Sequence, residues 1–192
     1  MRQENRTSRQ AAVVIAGHIC SGKSTLVTAL QTAYGWSSVS FGKLVKAEAV
    51  ARGFPIERRT LQDLGQEMLE RLGAKGLLQA AVDCAAPRGG VHLIDGVRHP
   101  SVWTATQQAY ENAVLFVIKA DPQDRYARCR QTYGNADGLN YSNFVAVSRH
   151  PIEIGIDALE PLANQVLNGS QPTSEVFHDA EQLLKTLGVL NP

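Results

Sequence analysis

The most informative absences in this sequence of 192 residues are long apolar runs and an excess of charge of either sign. No run approaches the roughly 18 consecutive apolar residues that a membrane-spanning helix requires. The 19 basic and 18 acidic residues give a net charge of +1, which provides no overall attraction to nucleic acid or to an anionic membrane. Basic and aromatic residues are not interleaved, as they are on many surfaces that bind nucleic acid. We therefore expect neither a membrane nor a nucleic acid as a partner.

Cysteine is also scarce. Cys20, Cys84 and Cys129 are far apart in the chain and form no C-x-x-C pair. An odd number of cysteines leaves one unpaired, so the sequence favours a reducing compartment and hence a cytoplasmic protein. We interpret Cys84 and Cys129 as small residues of the core or of a helix face.

The N-terminal ten residues are polar and lack an apolar segment, which argues against a secretory signal and predicts a flexible tail over residues 1–10. Residues 11–192 have the length and the composition of a single α/β domain, with 44% apolar residues in the whole chain. No internal repeat and no low-complexity segment interrupts them.

The strongest motif in the chain is a phosphate-binding loop. The segment Gly17–Ser24 fits G-x-x-x-x-G-K-[ST] at every fixed position, between the apolar run Ala11–Ala16 and a segment with helical periodicity. Glycines let backbone N–H groups turn inward around an anion, while Lys23 supplies a charge for the outer phosphates and Ser24 a hydroxyl for Mg²⁺. The sequence therefore predicts that a nucleoside triphosphate, which we take to be ATP, binds here. The predicted contacts are Gly17, His18, Ile19, Cys20, Ser21, Gly22, Lys23, Ser24 and Thr25.

Cys20 lies inside this loop, beside Lys23. Inward-pointing N–H groups and a neighbouring ammonium favour the thiolate form of a cysteine. We therefore hypothesise that oxidation of Cys20 weakens nucleotide binding.

Strand-like and helix-like patterns alternate along the rest of the chain. We predict strands at Trp36–Phe41, Val91–Asp95, Val114–Ala120 and Gln165–Leu167. We predict helices at Gly42–Arg52, Thr60–Leu72, Lys75–Ala86, from Pro122 onward, in part of Ile152–Leu162, and at Glu175–Leu187. Gly73 should end the second of these helices, and Thr132–Ser142 should be an exposed, mobile loop. The alternation predicts a three-layer α/β/α P-loop fold with a five-stranded parallel sheet and ligands at the carboxyl ends of the strands.

A second chemical cluster follows the predicted strand Val91–Asp95. Asp95 ends that strand, so it should lie beside the phosphate loop, where a carboxylate can orient Mg²⁺. Arg98 should point into the same cleft. Arg125 and Arg128 lie three residues apart on one predicted helical face, and phosphoryl transfer requires cations around the transferring group. We therefore predict Lys23, Asp95, Arg98, Arg125 and Arg128 as catalytic residues, with Ser24 and Asp95 as metal ligands.

These segments resemble the nucleoside and nucleotide monophosphate kinases, and among them the dephospho-CoA-kinase-related proteins, including the archaeal nucleotide-kinase-like group. The matching segments are Gly17–Thr25, Val39–Lys46, Leu61–Gly65, Leu93–Pro100, Ala120–Pro122 with Arg125 and Arg128, and Asn168–Ser170. The resemblance implies a core sheet, helices that bind substrate at about residues 42–87, and an arginine-bearing lid at about residues 125–150. It also implies that Arg98 holds the acceptor.

The sequence departs from the pattern of that family in two places. The family usually has an acid near Lys43 and an arginine near Lys46, and both positions are lysine here. The segment Thr132–Asn143 also lacks arginine. These departures are compatible with weak activity, an unusual acceptor or a regulatory descendant.

The leading hypothesis is therefore an ATP- and Mg²⁺-dependent kinase that acts on a small nucleotide-like acceptor, with a (deoxy)nucleoside monophosphate favoured and dephospho-CoA as the alternative. Asp95 suits both, because it can position an anionic phosphate or accept the proton of a sugar hydroxyl. A non-catalytic nucleotide-binding module that regulates a protein partner is a second hypothesis. An NTPase that works in a nucleic-acid assembly is a weaker third. The sequence does not choose the acceptor, the donor base or the oligomeric state.

Overall fold

The structure, a computed structural model, describes residues 9–88, 90–133 and 140–190. Its five strands are β1 (Arg9–Gly17), β2 (Ser37–Ser40), β3 (Val91–Asp95), β4 (Tyr110–Lys119) and β5 (Gln165–Asn168). Its helices are α1 (Lys23–Tyr34), α2 (Phe41–Ala51), α3 (Arg58–Ala85), α4 (Pro100–Ala109), α5 (Pro122–Tyr133), α6 (Tyr141–Ser148), α7 (Pro151–Asp157) and α8 (Thr173–Thr186), with a 3₁₀ turn at Glu160–Leu162.

The strands form one parallel sheet in the order β2-β3-β1-β4-β5. Parallel neighbours require helical crossovers, which accounts for the regular alternation of strands and helices. The chain moves from β1 to one side of the sheet for β2 and β3, then crosses to the other side for β4 and β5. The carboxyl end of β1 is therefore the place where the direction of winding reverses, which is the usual ligand site of an open α/β sheet.

Alternate residues of β1 enter two separate cores. Ala12, Val14 and Ala16 pack with α2, α3 and α4 on one face, whereas Val13 and Ile15 pack with α1 and α8 on the other. All five side chains are fully buried, as expected for a central parallel strand covered on both faces. The predicted α/β/α P-loop architecture with five parallel strands is confirmed.

Several boundaries differ from those predicted. β1 begins at Arg9 because Arg9 pairs with Tyr110 at the start of β4, so the strand includes the last two residues of the predicted tail; residues 1–8 lie outside the described residues. α4 has no counterpart in the sequence analysis. The predicted break at Gly73 is present, because Gly73 has φ 65° and ψ 171° within the span of α3. The predicted loop at 132–142 is shorter at both ends, since α5 continues to Tyr133 and α6 starts at Tyr141; residues 134–139 lie outside the described residues.

Candidate functional site

The phosphate loop joins β1 to α1 and has the backbone that its glycines permit. Gly17 and Gly22 have φ values of 146° and 105°, which favour glycine. A Cβ atom on Gly17 would lie 2.5 Å from the carbonyl oxygen of Ile118 in β4, so no larger residue fits there. Cys20 also has a positive φ, 57°, which is uncommon for a residue with a side chain.

Lys23 opens α1, and its ammonium turns back into the loop. Its Nζ donates a hydrogen bond to the carbonyl oxygen of His18 at 2.6 Å. Burial, reinforced by the nearby charge of Arg98, lowers the pKa of Lys23 from 10.5 to about 8, although Asp95 and Glu153 act in the opposite direction. The ammonium is thus held inside the loop, and a polyphosphate bound there would stabilise its positive charge. Ser24 and Thr25 follow it on α1 with exposed side chains.

The loop after β5 forms one wall of the phosphate loop. A Cβ atom on Gly169 would overlap the carbonyl oxygen of Ser21 and lie 2.7 Å from Cγ2 of Ile118. The neighbouring Ser170 accepts a hydrogen bond from the backbone N–H of Asp121, 3.2 Å away, which ties this wall to the start of α5. The carboxylate of Asp121 accepts from the N–H of Gln123 at 2.7 Å and caps α5.

Asp95 lies at the carboxyl end of β3, beside the end of β1, because it pairs with Ile15 in the sheet. Burial raises the pKa of Asp95 above its usual value of 3.8, and the positive charges of Lys23, Arg98 and Lys43 offset part of that increase. One carboxylate oxygen, Oδ1, is buried with no hydrogen-bond partner among the residues that the structure describes. The structure therefore brings the predicted residues Lys23, Asp95 and Arg98 into one electrostatic cluster.

This cluster fits Mg²⁺ bound together with phosphates. No group of three or more His, Cys, Asp or Glu side chains that could hold a metal occurs among the described residues. Mg²⁺ prefers oxygen ligands and is usually held by one or two carboxylates plus substrate phosphates. The unpartnered oxygen of Asp95 and the exposed hydroxyl of Ser24 are donors of that kind.

A buried glutamate that the sequence analysis did not identify pairs with Arg98. Glu153 on α7 has no exposed surface, and its Oε1 accepts hydrogen bonds from Arg98 and, at 3.1 Å, from Nε2 of Gln62. Burial alone would raise the pKa of Glu153, but contact with His18 and the charges of Arg98 and Lys23 outweigh burial and lower it to about 2. Glu153 is therefore ionised at neutral pH, and Arg98 reaches the cleft already paired with an anion.

The ring of His18 connects the phosphate loop to α7. Its Nε2 lies 2.8 Å from Oδ1 of Asp157, and its Nδ1 lies 3.7 Å from Oε2 of Glu153. His18 was predicted only as a phosphate contact of the loop, but its imidazole lies between two carboxylates of α7. No local pattern marks Glu153, Asp157 or Gln62 as members of this site.

The two arginines of α5 occupy different surroundings. The guanidinium of Arg128 approaches the phosphate loop, since its Nη1 lies 4.0 Å from the position of a Cβ on Gly22. Arg125 is 7% exposed and lies over the ring of Phe144, 5.3 Å from its centroid. Its Nε and Nη1 atoms have no hydrogen-bond partner among the described residues, and burial lowers its pKa. Only Arg128 is therefore placed directly beside the loop.

Arg125 also lines a cavity of about 240 Å³ between α5 and α6. The lining consists of Pro122, Arg125, Tyr141, Phe144, Val145, Ser148 and Arg149. The hydroxyl of Ser148 is buried and, like two of the Arg125 nitrogens, has no hydrogen-bond partner within the described chain. Arg149 supplies a second cation at the edge of this cavity.

The two lysines that depart from the family pattern lie on α2. Lys43 is exposed in the first turn, and its N–H donates to the hydroxyl of Ser40 at 3.4 Å. Its positive charge reaches Asp95 and lowers the pKa of that carboxyl. Lys46 is exposed one turn further along the helix.

Cys129 is a fully buried core residue, as predicted, but two of the three cysteines are paired, which the sequence did not lead us to expect. Cys20 and Cys129 form a disulfide, with their Cα atoms 5.7 Å apart and a sequence separation of 109 residues. Cys20 is therefore no thiolate in this structure, and Cys129 is more than a small core residue. The pairing also removes the basis on which a reducing compartment was inferred. Cys84 is a free thiol on α3 and is exposed.

In the described part of the chain, no helix is both long and apolar enough to cross a membrane.

Comparisons with solved structures agree with this architecture. TT1252 from Thermus thermophilus matches with a TM-score of 0.61 at 20% identity, covering 96% of this chain and 100% of that one. A gluconokinase from Sinorhizobium meliloti matches with a TM-score of 0.59 at 14% identity, covering 94% and 97%. A shikimate kinase from Aquifex aeolicus matches with a TM-score of 0.52 at 15% identity, covering 94% and 99%. These likenesses show a P-loop kinase-like fold.

Sequence comparisons identify relatives and a family. A UPF0200 protein of Thermococcus sibiricus is 23% identical over 182 residues, which cover 92% of this chain and 95% of the relative. UPF0200 protein TK1334 of Thermococcus kodakarensis is 26% identical over 170 residues, covering 85% and 91%. The family model described as an AAA domain matches residues 15–138, a segment that includes the phosphate loop, Asp95, Arg98 and α5. Since this match spans more than half of the chain, the protein belongs to the family of this AAA domain.

Proposed function

We propose that the protein transfers the γ-phosphoryl group of ATP to a small nucleotide-like acceptor, with a (deoxy)nucleoside monophosphate as the first candidate. The observation that carries this proposal is the cluster of Lys23, Asp95 and Arg98 at the carboxyl end of the sheet, where the charges of Asp95 and Arg98 both act on the pKa of Lys23. A phosphate loop, a carboxylate and a guanidinium are the groups that phosphoryl transfer needs.

In this proposal the residues of the cluster have different roles in binding the donor and the acceptor. Backbone N–H groups of the loop and the ammonium of Lys23 bind the donor phosphates, and Arg128 adds a cation beside Gly22. When bound, Mg²⁺ held by Ser24 and Asp95 supplies further neutralisation of the phosphate charges. Arg98 lies at the acceptor side, where its pairing with Glu153 fixes its orientation.

The environment of Asp95 supports a second candidate acceptor, the sugar hydroxyl of dephospho-CoA. A hydroxyl must lose a proton during the reaction, whereas a monophosphate is already largely ionised at pH 7 because its second pKa is about 6. Burial raises the pKa of Asp95, which makes this carboxylate a better proton acceptor.

A nucleotide-binding regulator without turnover is the third candidate, and the pairing of Arg98 with a carboxylate of the chain itself, Glu153, supports it.

The deciding experiment follows ADP release from ATP and Mg²⁺ in the presence of ribo- and deoxynucleoside monophosphates or dephospho-CoA. Release that depends on one acceptor supports the kinase and names its substrate. Binding of ATP without turnover supports the regulator, and release that no acceptor changes would indicate an NTPase. Lys23→Ala should abolish release. Lys185→Ala, which removes an exposed lysine on α8, should leave it unchanged.

Asp95→Asn then distinguishes the two acceptor classes. For a hydroxyl acceptor we expect kcat to fall by about 10²–10⁴-fold, the usual contribution of a positioned base. For a monophosphate acceptor the loss should be smaller and should be relieved in part by higher Mg²⁺. Asp83→Asn on α3, where the exposed carboxylate bonds only to Gln79 among the contacts described, is the matched control.

A further inference from the structure

The disulfide between Cys20 and Cys129 joins two parts of the candidate site that come from distant parts of the chain. Cys20 lies in the phosphate loop, and Cys129 lies in the middle of α5. The bond is embedded in a small cluster in which Ile19 of the loop, Cys129 and Phe144 of α6 are buried. α5 is thus covalently attached to the phosphate loop, and α6 packs against the same junction through Phe144.

The position of this bond gives it a mechanical role. Arg128, the residue before Cys129, points its guanidinium toward Gly22 of the loop. With the bond intact, the Cα atoms of Cys20 and Cys129 are held 5.7 Å apart, so this turn of α5 cannot move away from the loop. Lids of nucleotide-dependent transferases open and close in each cycle, and release of product often limits turnover. A bond at this point would restrain that motion.

We propose that Cys20 and Cys129 form a reversible thiol–disulfide site that controls how fast nucleotide enters and leaves the phosphate loop. The disulfide state restrains α5 and exchanges nucleotide slowly, and the dithiol state exchanges it rapidly. This inference rests on the proposed function in so far as the loop must bind a nucleotide, but it does not require phosphoryl transfer. The co-reactants are a dithiol as reductant and a peroxide as oxidant.

The two sulfur atoms differ in access, which gives the exchange a direction. Cys129 is fully buried, whereas Cys20 is only partly buried. An external thiolate therefore attacks Sγ of Cys20, the S–S bond breaks, and Cys129 leaves as a thiolate that takes up a proton. The second thiol of the reductant then displaces Cys20 and leaves as a cyclic disulfide, so that two electrons and two protons pass to the protein.

Oxidation reverses this sequence. The thiol of Cys20, the more accessible of the two sulfurs, loses its proton and attacks one oxygen of the peroxide; the O–O bond breaks, the sulfur becomes a sulfenic acid, and the released hydroxide takes up that proton as water. The thiol of Cys129 then attacks that sulfur, the S–S bond forms and a second water leaves. Overall, two thiols and one hydrogen peroxide give one disulfide and two water molecules.

Cys84 provides an internal control for both directions. It lies on α3, it is exposed, and it has no disulfide partner among the described cysteines. Alkylation under denaturing conditions should therefore label one cysteine in the oxidised protein and three in the reduced protein. Three labelled cysteines after treatment with excess hydrogen peroxide would overturn the proposal.

The functional test measures the rates of binding and release of a fluorescent ATP analogue by stopped flow, in oxidised and dithiothreitol-reduced protein. We expect reduction to accelerate release at least about tenfold in the wild type and in Cys84→Ser. Cys129→Ala, which cannot form the bond, should release nucleotide at the rate of the reduced wild type, with or without reductant. Circular dichroism checks that each variant is folded, and the wild type alone suffices if Cys129→Ala fails to fold.

The outcomes separate this proposal from the proposed function. Equal release rates in the two redox states of the wild type would overturn the thiol–disulfide site, whatever the acceptor assay shows. Redox-dependent release without ADP formation from any acceptor would support the site and argue against the kinase. If the analogue binds in neither state, both proposals fail.

Discussion

Lys23 is held inside its own loop by a backbone carbonyl, and its depressed pKa predicts that nucleotide binding depends on pH. In the folded protein the pKa of Lys23 is about 8, against 10.5 for an ordinary lysine, so the side chain loses its charge as pH rises through about 8. Bound phosphates favour the ammonium. We therefore expect ATP binding at pH 9 to take up a proton and the affinity to fall as pH rises above about 8.

Calorimetry at pH 9 in two buffers of different ionisation enthalpy measures this proton uptake. Lys23→Arg should remove it, because a guanidinium stays charged well above this range. Identical binding enthalpies for the wild type in the two buffers would show that Lys23 is already charged.

Glu153 should be the carboxylate whose loss affects stability most. Its side chain is fully buried and Arg98 is 28% exposed, so Glu153→Gln leaves a largely buried guanidinium without its counter-ion. We expect the free energy of unfolding to fall by about 2 kcal/mol. Glu160→Gln is the matched control, since Glu160 and its partner Lys119 are both exposed and such pairs contribute less than about 1 kcal/mol. Urea denaturation measures both, and equal losses would contradict the assignment.

The pH dependence of that loss follows from the depressed pKa of Glu153. A carboxyl whose pKa is lower in the folded state stabilises the fold above its unfolded pKa and loses this effect as pH falls through the folded pKa. The difference in stability between wild type and Glu153→Gln should therefore be complete above about pH 4.5 and shrink toward pH 2. If the stability difference between wild type and Glu153→Gln stayed constant from about pH 4.5 to pH 2, the ionised carboxylate of Glu153 would not be what stabilises the wild type.

At this scale, the sequence predicted residues whose spacing is fixed by backbone chemistry. Lys23 and Ser24 follow from the phosphate-loop motif, and Asp95 follows from its place at a strand end. Glu153 could not be predicted, because its partners Arg98 and Gln62 lie 55 and 91 positions away and only tertiary packing joins them. The pairing of Cys129 with Cys20 was missed for the same reason, since spacing alone does not show which cysteines meet.

Among the helices, α7 depends on a single glycine to reach the site. A Cβ on Gly155 would overlap the carbonyl oxygen of Arg98, so Gly155→Ala must push α7 away from the strand end. We expect a loss of about 2 kcal/mol, typical of overpacking against backbone, and a weaker Arg98–Glu153 pair.

Gly42→Ala on α2 is the control for this prediction. There a Cβ would meet the hydroxyl of Ser40 at 3.7 Å, an ordinary contact, and alanine favours the helix, so stability should stay constant or rise by up to about 1 kcal/mol. Thermal unfolding compares the two variants. Similar midpoints for Gly155→Ala and wild type would show that α7 does not pack as closely as described.

Strands and helices could be predicted where the apolar residues recur regularly or where a turn-forming residue ends the element. β3 was predicted with its observed bounds because an apolar run ends sharply at Asp95-Gly96, and the break at Gly73 was predicted because glycine tolerates its positive φ. α4 was missed even though His99 caps it and Pro100 opens it, since its buried side chains include Thr106 and its apolar stripe is short. Residues 134–139 lie outside the described chain, so the predicted lid remains a prediction there.

For the molecule as a whole, the disulfide should contribute to stability as well as to exchange. It closes a loop of more than a hundred residues, and restricting the unfolded chain to that extent is worth about 3–5 kcal/mol in the chain-entropy account. We expect reduction to lower the urea midpoint of the wild type and of Cys84→Ser alike. Cys129→Ala should show one midpoint in both conditions, and coincident midpoints for oxidised and reduced wild type would contradict this expectation.

The five-stranded parallel sheet between two layers of helices followed from the alternation of strands and helices, because parallel pairing requires helical crossovers. The strand order β2-β3-β1-β4-β5 was not predicted. Composition was a poorer guide to redox chemistry. Three cysteines in 192 residues suggested reduced thiols, but two of them meet where the phosphate loop contacts α5.

The close approach of Gly169 to Ser21 bears on when, during its synthesis, the chain becomes able to bind a nucleotide. The nucleotide motif is complete by residue 25, yet the surface that braces it arrives only with residue 169, after β4 and β5 have paired. A nascent chain or a fragment that stops before β5 thus carries every signature residue of the loop without its support. Capture of nucleotide would accordingly report that the last strand has taken its place in the sheet.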